Sequence, residues 1–197
     1  MGNPSDSSDK TAAATSRGVG VTAAAQREGM RGPAPVHLWN PPYCGEIDME
    51  IRQNGQWFYL GTPIERLPLV KLFSSVLRHD DDGYYYLVTP VERVRIRVED
   101  APFVATTVER HQEAGVEYLR FTTQTGDVVV AGKEHPLRVD YRNDEPRPYL
   151  HVRDRLEALV SGNVYYQLVE WGEAQVTGEG QQLMVSSAGQ LFEIGRF

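Results

Sequence analysis

Three sets of side chains carry most of the chemistry this sequence offers. On one predicted helix, Lys71, Ser75 and Arg78 fall within about one-sixth of a turn of each other at 100° per residue, with Arg66 just before them. Such a group can hold a phosphate through charge-assisted hydrogen bonds; the same spacing also makes an ordinary solvated helix face. Arg93, Arg95 and Arg97 alternate along a predicted strand, suited either to an anion or to cross-strand pairing with acidic neighbours. Trp39, Tyr43, Trp57 and Tyr59 offer flat faces for a planar ligand, or they fill a core. Trp57 and Tyr59 share one strand face and Phe58 and Leu60 the other, so one pair looks away from a covering helix.

Signatures of covalent or metal catalysis are missing. There is no Gly-x-Ser-x-Gly elbow, Walker loop or His-Glu-x-x-His, and the five histidines include no metal-spaced pair. Asp80-Asp81-Asp82-Gly83 starts like a calcium loop but lacks the glutamate at its twelfth position, and reads as a solvated turn. Gly18 to Ala23 matches a dinucleotide fingerprint in form, yet no strand precedes it and no buried helix follows, so the match is coincidence. Cys44 sits among aromatic residues as a small hydrophobe or a reactive thiol. An enzyme reading would rest on Asp48, Glu92 or Cys44. The sequence identifies no cofactor.

A formal net charge of −7 argues against general nucleic-acid binding, which needs a basic surface. The single cysteine excludes an internal disulfide and suits a reducing cytoplasm. No apolar run approaches the 18 or so residues of a membrane span. Residues 1–35 are rich in Ser, Ala, Gly, Thr and Pro without an aromatic, a composition that predicts a disordered tail.

The elements that must position these groups follow from periodicity. Ile47, Met49 and Ile51 alternate with Asp48, Glu50 and Arg52, a half-buried strand turned back through Asn54-Gly55 into 56–60. Thr62-Pro63-Ile64-Glu65 looks like a capping box, followed by a helix over about 68–78 with Leu69, Leu72, Phe73, Val76 and Leu77 on one stripe. Strands are predicted over 84–89, 91–99, 103–108, 116–123, 127–131, 137–141, 164–169, 182–186 and 191–194. A second helix is predicted over 149–160, capped by Gly162. Residues 142–148 read as a polar insertion.

The plan is stated twice. Gly55 and Gly61 bracket 57–60 as Gly126 and Gly132 bracket 128–131, and a helix, a turn and a β-rich run follow each pair. The fold class is therefore α+β: two similar halves, 36–108 and 109–197, each an antiparallel curled sheet with one helix.

With these elements placed, the first half resembles an uncharacterised bacterial family, domain of unknown function 1285. The resemblance rests on Trp39, Pro42, Cys44-Gly45, Asp48, Gly55, Trp57, Gly61, Pro63-Ile64, Arg66, the run 69–73, the run 85–92 and Asp100 to Phe103. It covers 39 to about 104; the second half matches more loosely. It implies a duplicated α+β core whose second half is loosely pleckstrin-homology-like, and a site between the halves for a nucleotide-like molecule in a signalling setting. It brings no catalytic residues.

The expected function is thus cytoplasmic ligand binding without catalysis, with Trp39, Tyr43 and Trp57 stacking on a base and Arg66, Lys71 or Arg93 meeting phosphate. The alternative is a protein-interaction module that adds a partner strand at a sheet edge or at 142–148.

Overall fold

The computed structural model describes residues 32–178 and 180–197. The predicted disordered tail lies outside them up to residue 31, as does the Gly18 to Ala23 stretch. The chain divides into two compact units between Glu99 and Asp100, with the turn Gln53–Gly55 counted in the second. The boundary expected at 108 falls inside a continuous strand, Phe103–Glu113.

The first unit contains β1 (Tyr43–Ile51), β2 (Trp57–Tyr59), β3 (Thr62–Pro63), α1 (Leu67–Ser75), β4 (Leu77–His79), β5 (Tyr85–Val88) and β6 (Arg93–Val98). They form one six-stranded sheet in the order β3-β2-β1-β6-β5-β4. Ile47, Met49 and Ile51 of β1 and Val94 and Ile96 of β6 are buried, as their alternation predicts. Trp57 and Phe73 stack at 6.1 Å between ring centroids, fixing α1 to that apolar face. The turn from β2 to β3 is Leu60-Gly61, both at positive φ, the backbone of a two-residue type I′ hairpin.

Helix α1 differs from expectation at both ends. Thr62 belongs to β3, and the N-cap position is Arg66, with no side-chain cap. Pro68 stands in the first turn, where its missing N–H has no helical acceptor to lose. At the other end Ser74 and Ser75 donate to the carbonyls of Lys71 and Leu72. The chain then joins the sheet, with Leu77 paired to Leu87. Arg78 is consequently a strand residue, and the expected Lys71–Ser75–Arg78 helix face does not form.

The second unit contains β7 (Phe103–Glu113), β8 (Val116–Thr123), β9 (Val128–Val130), β10 (Leu137–Arg142), β11 (Glu145–Arg153), β12 (Leu156–Val160), α2 (Gly162–Trp171), β13 (Glu173–Thr177), β14 (Gly180–Ser187) and β15 (Gln190–Arg196). The helix predicted over 149–160 is a β-hairpin. Asp154 turns it at positive φ, and Leu156, Ala158 and Val160 alternate inward. The strand predicted over 164–169 is helix. It buries Val164 and Leu168 four residues apart, and Tyr165 N–H donates to the Ser161 carbonyl. Gly162 therefore opens a helix instead of closing one. The polar insertion at 142–148 is the hairpin between β10 and β11, turned by Asn143 and Asp144 at positive φ.

The duplication is a repeat of sheet topology. The second sheet runs β9-β8-β7-β12-β11-β10, strand for strand the order of the first. Neither sheet is purely antiparallel, because β1 pairs parallel with β6 and β7 with β12. In this register Gly126, between β8 and β9, matches Gly61 rather than Gly55. The helices do not match: α1 joins strands three and four of its sheet, whereas α2 follows strand six. The remaining three-stranded sheet, β13-β14-β15, is tied to its unit by Ser187. This fully buried hydroxyl donates to the Ala131 carbonyl at 2.7 Å and accepts from Leu119 N–H at 2.9 Å.

Candidate functional site

The polar side chains of the first unit gather on the sheet face opposite α1. Strand alternation places Arg93, Arg95 and Arg97 there, opposite Tyr43, Glu46 and Glu50 of β1 in register and beside Arg78 and Tyr86. The cross-strand pairing expected for this arginine row is present. Arg95 donates to Glu46 at 2.5 and 3.0 Å, and Arg97 to Asp48 at 2.8 Å and Glu50 at 3.3 Å.

At one end of this face Asp80 accepts from Arg78 at 2.5 Å and from Arg93 at 2.8 Å. Arg78 Nη1 also donates to the carbonyls of Val36 and Trp39, holding the 3-10 turn Val36–Leu38. The Arg93 guanidinium lies 4.7 Å from the Tyr86 ring centre and 5.9 Å from that of Tyr43. Tyr86 donates to Asp82 at 2.6 Å. Burial, reinforced by the Asp82 hydrogen bond and charge, pushes the Tyr86 hydroxyl up to about 12. The same hydrogen bond, with that from Tyr84 N–H, holds the Asp82 carboxyl below its usual range. Asp80 and Asp82 thus both bind partners within the first unit.

Beside this cluster a groove of ≈ 520 Å³ runs along the sheet, lined by Glu46, Glu50, Glu99, Tyr84, Arg95 and Arg97 among others. Tyr84 is 50% exposed, and the Arg95 guanidinium sits 4.5 Å from its ring centre. Among the described residues no set of three or more His, Cys, Asp or Glu side chains is placed to hold a metal.

Of the residues expected at the site, Tyr43 and Arg93 come together beside Asp80 and Arg78, and Trp39 reaches the cluster through its backbone carbonyl. Trp57 does not belong with them. It is 1% exposed, its ring covered by Phe73, so it has no face for a ligand. Arg66 and Lys71 are exposed at the start and middle of α1, apart from the Tyr43–Arg93 cluster. Sequence reasoning read Asp80 only as part of a solvated turn, although its side chain is largely shielded between Arg78 and Arg93, and passed over Tyr84 and Tyr86. The run Tyr84-Tyr85-Tyr86 was a signal, since alternation must send the outer two to the face of the arginine row.

Family models match both parts of the chain: the N-terminal domain of a domain of unknown function (DUF1285) over residues 34–101, and the C-terminal domain of the same family over 102–194. This chain belongs to the DUF1285 family. A solved DUF1285 protein from Silicibacter pomeroyi DSS-3 is 46% identical, with a TM-score of 0.79 over 89% of this chain and 94% of that one. A second DUF1285 structure, from Shewanella baltica OS155, is 33% identical with a TM-score of 0.49, covering 62% of this chain and 90% of that one. A comparison with curated proteins finds no match. The groove and all six residues expected at the site fall within the DUF1285 N-terminal domain. No described helix is long and apolar enough to cross a membrane.

Proposed function

We propose that this chain is a ligand-binding protein with no chemical step of its own, and that its ligand is a small molecule of nucleotide size with a planar ring. The observation that carries this reading is the groove on the open face of the first sheet. Its volume falls in the range of small-molecule sites, about 300–1,000 Å³, and a half-exposed tyrosine ring stands in its wall. The arginines in its wall are held in ion pairs, Arg95 with Glu46 and Arg97 with Asp48 and Glu50, an arrangement suited to holding a ligand more than to moving a proton. Tyr43 and Arg93 extend the surface beyond the groove.

The test is thermal unfolding against a panel of nucleosides, nucleotides and other ring-bearing compounds. A ligand at a hundred times its Kd stabilises by about 2.7 kcal/mol, a shift of a few degrees for a chain of this size. The expected result is a saturable shift that Tyr84→Ala removes. A shift that survives both Tyr84→Ala and Tyr43→Ala places the ligand elsewhere.

One observation favours a protein-interaction module as the second reading. The outermost strand β13 carries Val176 at 82% exposure, a sheet edge suited to strand addition. A stoichiometric protein partner lost on Val176→Lys supports it.

A further inference from the structure

Backbone geometry singles out one sheet edge in the second unit. Strand β13 stands at the end of the sheet β13-β14-β15. The Gln181 carbonyl of β14 accepts from Phe197 N–H at 3.0 Å, so the backbone groups of Gln181 point to β15. In an antiparallel ladder the N–H and C=O of one residue face one side and those of the next face the other. Val176, opposite Gln181 in register, therefore turns its N–H and C=O away from β14 to the open edge, and Ala174 does the same. Both side chains are exposed.

Proteins commonly blunt such edges with prolines, charges, bulges or short strands. Edge strand β3 has two residues, one of them Pro63, and β4 and β9 have three each. Edge strand β10 carries Arg138, Asp140 and Arg142. Strand β13 has five residues in unbroken register, with neither a proline nor a basic side chain, and its one charge, Glu173, stands at its end.

We propose that β13 pairs antiparallel with β13 of a second copy of this chain, about a two-fold axis at Gln175. This names the partner for the protein-interaction reading above and rests on it. The strand's own symmetry selects a second copy. The axis sets Ala174 opposite Val176 of the second copy. These are the residues whose backbone groups face outward, so each such pair exchanges both of its hydrogen bonds. The same pairing covers Val176 with an apolar neighbour. Gln175 meets Gln175 in the non-hydrogen-bonded position, where side chains come closest and one amide donates to the other. Glu173 falls opposite Thr177, so no like charges meet, and the two Glu173 carboxylates sit at opposite ends of the joined strands. Three strands from each copy become one continuous sheet. A two-fold contact of this kind is closed and stops at the dimer.

The test is sedimentation velocity of the full-length chain over a wide range of concentration. A monomer–dimer equilibrium is expected. Val176→Lys should leave a monomer, because lysine on an edge strand blocks pairing. Cross-linking checks the register in a Cys44→Ser background. Oxidised glutathione should convert Gln175→Cys to a disulfide-linked dimer, since residues opposite each other in a non-hydrogen-bonded pair lie about 4.5 Å apart, within the span of a disulfide. Thr177→Cys, which faces Glu173 and not its own copy, should not cross-link. The melting temperature of each variant serves as its folding control. A dimer that survives Val176→Lys, or that cross-links through Thr177→Cys and not Gln175→Cys, overturns this pairing. A monomer at every concentration overturns self-association. The protein-interaction reading then stands only if a different protein binds and is lost on Val176→Lys; with no such partner, both fall.

Discussion

Arg93 donates to Asp80 Oδ2 at 2.8 Å while the other oxygen of that carboxylate accepts from Arg78 at 2.5 Å. One acidic side chain from the β4–β5 turn therefore neutralises two arginines from the outer and inner strands of the first sheet. Through Arg78 it also anchors the 3-10 turn that precedes β1. All three side chains are largely shielded from solvent. Asp80→Asn removes the carboxylate that both guanidinium groups bind directly. It should destabilise the protein by about 3 kcal/mol, the loss seen when one partner of a buried ion pair is removed. Urea unfolding measures this, and a variant as stable as the parent would refute the anchoring role.

Acid should weaken the second unit through Asp100. Its side chain is 5% exposed. Burial raises its pKa, but hydrogen bonds from Arg147 at 2.7 Å and Tyr149 at 2.8 Å, with the charges of Arg147 and Arg142, outweigh burial and leave the carboxyl below its usual value. A folded-state pKa lower than the unfolded one means the unfolded chain binds the proton more readily. The stabilisation is complete above the unfolded value, about 3.9, and is lost as pH falls through the folded value. Melting temperature followed from pH 6 to pH 2 should drop below about pH 4. The same profile for Asp100→Asn should start lower and fall less steeply.

Gly55 is fixed by geometry. Its φ is +82°, and a Cβ there would stand 2.8 Å from Gln124 Nε2 and 2.9 Å from Val104 Cγ2. Gly55→Ala combines a left-handed backbone with two close approaches, one of them on a branched side chain that cannot rotate away freely. A loss of about 1–3 kcal/mol follows. Gly61, also at positive φ but with open space around it, should lose about 1 kcal/mol on the same change. Chemical denaturation of the two variants side by side tests the difference.

Thr62→Ala should be close to silent. As the cap of a helix, Thr62 would be worth about 1 kcal/mol. In the two-residue strand β3 it is exposed and α1 begins five residues later, so the change falls within the ±0.5 kcal/mol of ordinary surface substitutions. Phe73→Ala on the buried face of the same helix should cost about 3–5 kcal/mol, which gives the comparison its internal scale.

Much of the first unit was legible in the residues because its local signals agree with one another. Ile47, Met49 and Ile51 alternate without ambiguity, Asn54-Gly55 turns the chain, and Val94 and Ile96 against three arginines leave only one orientation for β6. Residues 149–171 were different. Val152, Leu156, Leu159 and Val160 fit a helical period, while Leu156, Ala158 and Val160 fit a strand equally well, and short apolar runs do not separate the two. Pairing settled it: Ala158, Leu159 and Val160 lie parallel to Phe103, Val104 and Ala105, a partner that lies far off in the chain. The run 164–169 is rich in β-formers, yet only Val164 and Leu168 found a surface to bury against, and a spacing of four is helical. The sequence determined that the chain is acidic, rich in strands and duplicated in plan. Tertiary structure decided which strands match between the copies, that Trp57 belongs to the core, and that the arginines of β6 spend their charge on their neighbours. Those outcomes depend on contacts between distant residues, which local periodicity does not encode.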